Sequence, residues 1–199
     1  MNQMNSEDLT LKEGDALVVV DVQNDFLPGG NLEVQQGDEV VPAFNKYIEA
    51  FQSKNLPIYA TRDWHPPGHS SFHEKEGPWP PHCVSDSKGS QFAPDLNLPA
   101  NAVVISKGTG IDKDAYSGFE GTDLDERLRS DGIGRLLIGG LATDYCVLNT
   151  VKDALKLGYK VFLLRGAIRA VNVNPDDGEK AIKEMTDLGA VPIRYEMLR

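Results

Sequence analysis

The chain has 199 residues, 40% of them hydrophobic and 25% charged, and 30 acidic against 20 basic side chains leave a formal net charge of −10. That length suits one domain with a sizeable core, and the negative field argues against binding a nucleic-acid backbone. No apolar run approaches bilayer-spanning length, residues 1–10 lack the apolar core of a signal peptide, and only Cys83 and Cys146 occur. A cytoplasmic protein with two free thiols and no membrane or nucleic-acid partner is the expectation.

In chain order, residues 1–12 read as a loose arm. Residues 16–20 form a continuous apolar run closing on Asp21, as in a parallel strand buried on both faces. After the break at Pro28-Gly29-Gly30, the apolar stripe Val40, Val41, Phe44, Tyr47, Ile48 and Phe51 predicts a helix over 37–52. Residues 57–61 predict the second strand. Residues 63–101 are rich in Pro, Gly, Ser and His without clear periodicity, and a loop of that length in a compact domain is functional or disordered. Its aromatic residues and histidines argue for function.

A third strand over 102–105 closes on Ser106 and Lys107, and the glycine-rich stretch 108–121 leads to a short helix around 124–128. A fourth strand over 135–138 is followed by Gly139-Gly140, read as a sharp turn. Val147, Val151, Ala154 and Leu155 then recur at helical spacing up to Gly158, with Thr143 or Asp144 able to cap the helix. Residues 161–164 predict a fifth strand, and 175–188 a helix with Pro at its start and Gly189 after its end. The last strand, 191–195, belongs at an edge because Pro192 cannot donate to a ladder. The alternation predicts a single-domain α/β fold: an open, mostly parallel sheet with helices on both faces, a three-layer Rossmann-type sandwich.

Such sheets bind ligands beyond the carboxyl ends of their strands. Asp21, Lys107 and Cys146 follow strands one, three and four. Cys146 falls in the first turn of its helix, where outward N–H groups favour a thiolate and offer donors to an oxyanion. A carboxylate able to take the thiol proton and an ammonium able to steady both anions make nucleophilic catalysis without a histidine. All four histidines lie between His65 and His82. Asp63 and His65 point the same way if their segment is extended, and His82 stands on the stiff backbone of Trp79-Pro80-Pro81-His82. Two imidazoles and a carboxylate suit zinc, iron or manganese, with His69 or Ser70 to complete the shell. The plainer readings are a buried cysteine, a solvated lysine and a polar loop with incidental histidines.

Asp21-Val22-Gln23-Asn24-Asp25-Phe26, Asp63-Trp64-His65, Trp79-Pro80-Pro81-His82-Cys83, Lys107, Ala115-Tyr116-Ser117-Gly118-Phe119 and Ala142-Thr143-Asp144-Tyr145-Cys146 occur in that order. Together they resemble the nicotinamidase and pyrazinamidase branch of the isochorismatase-like cysteine hydrolase superfamily, over 15–195. The resemblance implies Asp21 as general base, Lys107 as cation and Cys146 as nucleophile. It further implies one divalent transition metal, zinc foremost, on Asp63, His65 and His82, with His69 as candidate fourth ligand and no organic cofactor. A cis peptide between Leu141 and Ala142 would aim the Ala142 and Cys146 N–H groups at an oxyanion. Phe26, Leu32, Trp79, Tyr116, Ala142 and Tyr145 would line the substrate pocket. The implied activity is hydrolysis of nicotinamide to nicotinate and ammonia through a cysteine thioester, with pyrazinamide as a second substrate and a homo-oligomer possible. The competing expectations are an amidohydrolase of the same superfamily acting on a carbamoyl or ureido substrate, and a non-catalytic metal-binding protein.

Overall fold

Apolar runs without a polar face are satisfied only between two covering layers. The computed structural model, which describes residues 9–199, gathers the runs into one six-stranded sheet. The strands are β1 (Asp15–Val20), β2 (Ile58–Asp63), β3 (Val103–Lys107), β4 (Arg135–Leu141), β5 (Lys160–Arg169) and β6 (Val191–Ile193). All pairings are parallel, in the order β3-β2-β1-β4-β5-β6. The predicted edge position of Pro192 follows from that order.

The pleat of β1 divides the core. Leu17 and Val19 face a cluster built on Phe44, Ile48 and Phe51 of α1 (Val40–Ser53). Ala16, Val18 and Val20 face the opposite cluster, which takes Leu124 and Leu128 of α2 (Leu124–Ser130), Val151 of α3 (Leu148–Lys156) and Met185 of α4 (Asp177–Asp187). Helices thus cover both faces, as the alternation predicts. The chain winds outward from β1 to β3, returns to β4 and winds the other way, which opens a crevice at the carboxyl ends of the central strands. Among the described residues no helix is long and apolar enough to cross a membrane.

Several local expectations change. Residues 1–8 of the expected arm lie outside the described residues. Residues 9–12 are not loose: Leu9 and Leu11 are buried, Leu9 N–H donates to Met197 O at 2.7 Å, and Leu9 O accepts from Arg199 N–H at 2.9 Å. Gly139-Gly140 is no turn but part of β4. A Cβ at Gly140, where φ is +130°, would lie 2.0 Å from Val20 O, so the close approach of β1 demands glycine there. The chain leaves the sheet one step later, at a cis Leu141–Ala142 peptide. β2 and β3 run two residues further than their apolar cores, to Asp63 and Lys107. The last strand stops at Ile193, and Tyr195–Met197 is a 3-10 turn.

Candidate active site

Four strand ends deliver the polar groups. Asp21 leaves β1 at φ +50° with its side chain wholly buried. Thr61 of β2 donates to Asp21 Oδ1 at 2.6 Å. Lys107, the last residue of β3, is also buried, and its Nζ donates to Asp63 Oδ1 and to Ala115 O at 3.0 Å. The same Nζ lies 3.4 Å from Cys146 Sγ and 3.0 Å from Asp21 Oδ2. The Asp21 contact is ionic but off line for a hydrogen bond, which leaves Oδ2 able to accept a proton. Cys146 Sγ and the nearest oxygens of Asp21 and Asp63 all lie within 4.8 Å of one another.

The electrostatics follow from burial. Loss of water pushes the Asp21 carboxyl up despite the Lys107 charge, making it a stronger base than a surface carboxylate. Burial also pushes the Cys146 thiol well up; Lys107 opposes this, while Asp21 and Asp63 add to it. The expected lowering by a helix start is therefore reversed, because loss of water, with two nearby carboxylates, outweighs Lys107. Burial works against charge on Lys107, but Asp21, Asp63 and Cys146 hold it firmly as an ammonium.

Cys146 sits in a single π turn, Thr143–Val147, and regular α3 begins only at Leu148. Neither Thr143 nor Asp144 caps it: the cap position is Ala142, without a side-chain cap. Tyr145 and Val147 N–H groups turn back to Ala142 O, both at 3.1 Å. Asp144 instead accepts from Val171 N–H at 3.0 Å and Asn172 N–H at 2.8 Å. It thereby fixes the loop after β5, a contact across sequence that local spacing could not reveal.

The histidine loop folds back on the strand ends by backbone pairing. His65 N–H donates to Cys83 O at 3.1 Å and Ser85 N–H to His65 O at 2.8 Å, which lays 82–85 beside 63–65. Gln23 anchors this arrangement: its Oε1 accepts from Asp63 N–H and its Nε2 donates to Asp63 O, each at 2.8 Å. Asp25 Oδ2 accepts from Cys83 N–H at 2.7 Å. Asp63 Oδ2 then lies 3.7 Å from His65 Nε2 and 4.0 Å from His82 Nε2.

These three side chains fit a metal by their outer contacts. His65 Nδ1 meets Gly108 O at 3.0 Å and His82 Nδ1 meets Pro80 O at 2.8 Å. A carbonyl only accepts, so each Nδ1 carries the proton and each Nε2 turns a lone pair toward Asp63. Burial opposes ionisation of Asp63, but Lys107 with His65 and His82 outweighs it and holds the carboxyl well below the ordinary range. The ligand atoms lie within 4.8 Å of one another, and the donor set, one carboxylate and two imidazoles, suits a divalent transition metal.

His69 does not join this cluster. Its ring stacks on His65 at 4.2 Å between centroids, Nδ1 meets Ser71 Oγ at 2.7 Å, and Nε2 meets Lys113 O at 3.2 Å. Both nitrogens face protein partners, and the ring packs behind His65, outside the Asp63, His65 and His82 group. Ser70 is tied through its N–H to Ile111 O at 2.8 Å.

A narrow pocket of about 30 Å³ opens above Cys146 and touches Asp63 and His82. Every residue expected to line it does so: Phe26, Leu32, Trp79, Tyr116, Ala142 and Tyr145. Trp79 donates its indole N–H to Tyr116 Oη at 2.9 Å, and Tyr145 packs against both rings. Sequence reading missed Val171, which completes the wall on the loop that Asp144 holds. It also missed Thr61 as the partner of Asp21.

The sequence matches the Isochorismatase domain over residues 15–197. It is 42% identical over 196 residues to the nicotinamidase of Escherichia coli K12, with 88% of this chain and 92% of that protein covered. Among solved structures, pyrazinamidase of Pyrococcus horikoshii in complex with zinc is similar at a TM-score of 0.88 and 50% identity, covering 92% of this chain and 99% of that one. PnC1 from L. infantum in complex with nicotinate is similar at a TM-score of 0.89 and 35% identity, with 96% and 98% covered.

Proposed function

The chain belongs to the isochorismatase family and is a nicotinamide-hydrolysing member of it, and from that premise we propose that Cys146, Asp21 and Lys107 carry its chemistry. One observation supports the assignment above the others: a single buried ammonium lies within reach of the Cys146 sulfur and of both carboxylates. It can stabilise whichever of them is anionic as the proton moves.

In the proposed course, Asp21 takes the Cys146 proton as Sγ attacks the carboxamide carbon and the C=O electron pair moves to oxygen. The Ala142 and Cys146 N–H groups receive that oxyanion. The oxyanion re-forms the carbonyl, and Asp21 returns its proton to the departing nitrogen, releasing ammonia and leaving a thioester. Asp21 then takes a proton from water as the water oxygen adds to the thioester. Collapse breaks the C–S bond, the Asp21 proton passes to sulfur, and nicotinic acid leaves, giving its remaining proton to solvent to become nicotinate. Phe26, Leu32, Trp79, Tyr116, Tyr145 and Val171 exclude bulk water and sandwich a flat ring over Cys146.

The enzyme uses a divalent metal, which we assign to Asp63, His65 and His82, with zinc as its identity; when bound it supplies a Lewis acid for the pyridine nitrogen and for water. Residues 63–101 are its metal-binding loop within one hydrolase domain. Two free thiols support a reducing, cytoplasmic setting.

The test is ammonia release from nicotinamide, pyrazinamide, benzamide and isonicotinamide on one metal-loaded preparation. Nicotinamide and pyrazinamide share a ring nitrogen in the same relation to the carboxamide and should be turned over comparably. Benzamide and isonicotinamide lose that directional contact and should fall by about a hundredfold in kcat/KM. Equal kcat/KM for benzamide and nicotinamide would reduce the assignment to a general amidohydrolase.

A further inference from the structure

A second recess lies away from the pocket, between α1, the outer half of β5 and the turn Tyr195–Met197. Its volume is about 330 Å³. Four cations line it, Lys46, Arg165, Arg169 and Arg194, against one carboxylate, Glu196. In a chain of net charge −10 this is a local reversal of field. Arg165 and Arg169 pair with the exposed Glu179 and Glu39 at 3.5 and 2.5 Å, contacts that hold little energy in water. Among the described residues Lys46 and Arg194 have no carboxylate within ion-pair distance. The Lys46 ammonium stands 5.9 Å over the Tyr195 ring.

Tyr47 gives the recess a direction. Its side chain is 1% exposed, yet its hydroxyl has no hydrogen-bond partner among the described residues. The ring meets Tyr195 edge-on at 5.1 Å. Burial first, then the charges of Glu196 and Tyr195, push its ionisation up, and Tyr47 is itself one of the residues lining the recess. A buried O–H without an acceptor weakens a fold unless something supplies one.

We propose that this recess binds a small phosphorylated anion, with Lys46 and Arg194 on the phosphate and the Tyr47 hydroxyl donating to one of its oxygens. Guanidinium and ammonium groups suit phosphate through charge-assisted hydrogen bonds. A dianion overcomes the single opposing charge of Glu196 better than a carboxylate does. The space exceeds that of a bare phosphate ion, so a phosphomonoester fits as well as orthophosphate.

The experiment is calorimetric titration of the metal-loaded protein at low salt with inorganic phosphate, adenosine 5′-monophosphate and acetate. Wild type is compared with Tyr47→Phe and with the double variant Lys46→Gln/Arg194→Gln. Both phosphates should bind wild type, and acetate should not. The double variant should weaken them on the order of tenfold or more, with nicotinamide turnover in anion-free buffer unchanged. Tighter binding of the monophosphate identifies an ester as the ligand, and equal binding identifies the phosphate group alone. Without anion, Tyr47→Phe should melt no lower than wild type; with saturating phosphate, wild type should gain more in Tm. The proposal is overturned if neither phosphate saturates by about 10 mM, if acetate binds equally, if the double variant binds unchanged, or if both proteins gain the same Tm.

Discussion

Asp63 divides its carboxylate between Lys107 and the histidine pair. Oδ1 accepts from Lys107 Nζ, while Oδ2 faces His65 Nε2 at 3.7 Å and His82 Nε2 at 4.0 Å. One side chain therefore pairs with the proposed catalytic cation and belongs to the proposed metal cluster. Asp63→Ala should lose metal and also disturb Lys107, whereas His82→Ala should lose metal alone. With metal restored to excess, His82→Ala should recover about tenfold more turnover than Asp63→Ala, the worth of one charged hydrogen bond. Elemental analysis and kcat on the same samples check this; equal recovery would mean that the Asp63–Lys107 contact has no part in catalysis.

The two cysteines should part company. Cys146→Ala should lower turnover by several orders of magnitude, as removal of a nucleophile does, and keep both fold and metal content. Cys83 is wholly buried beside His82 with its N–H on Asp25, and its thiol has no role in the proposed course. Cys83→Ala should retain most activity. Appreciable ammonia release by Cys146→Ala would remove Sγ from the mechanism.

Gly108 carries the carbonyl that orients His65. It has φ +63°, and a Cβ there would stand 2.5 Å from His65 Cε1 and 2.7 Å from Nδ1. Gly108→Ala should displace the ring and lower metal affinity by about tenfold to a hundredfold, the usual effect of a lost outer contact. The circular dichroism spectrum should not change. A competitive chelator titration reads the affinity, and unchanged binding would show that His65 is not held by this carbonyl.

Arg135 and Asp15 tie the entry of β4 to that of β1, with Nε to Oδ1 at 2.5 Å and Nη2 to Oδ2 at 2.6 Å. Asp15 is fully buried and keeps one further donor, Lys12 N–H at 2.9 Å. Arg135→Ala leaves a buried carboxylate short of its cation and should destabilise the fold by about 3 kcal/mol. The pair lies at the opposite end of the strands from Cys146, so kcat should hold below the lowered Tm. Urea denaturation checks the first statement, and a change of less than about 1 kcal/mol would place the pair among the weak surface bridges.

The parts of this protein written locally were legible in its sequence. Uninterrupted apolar runs mark β1 and β4, because a strand covered on both faces has no polar position, and the residue where each run ends is where a parallel sheet presents its chemistry. Asp21 and Lys107 were found that way, and the histidine loop by composition. Tertiary contact decided the rest. Gly139-Gly140 reads as a turn until the close approach of Val20 O is seen. Asp144 reads as a helix cap until its oxygens are found on Val171 and Asn172. The partners of His69, Ser71 Oγ and Lys113 O, are likewise invisible in its spacing. The direction of the Cys146 shift depends on how completely Asp21, Asp63 and Lys107 are buried with it. Residue type and spacing are properties of the chain, whereas hydrogen-bond partners and desolvation are properties of what the fold brings alongside, as it does across the 44 positions between Asp63 and Lys107.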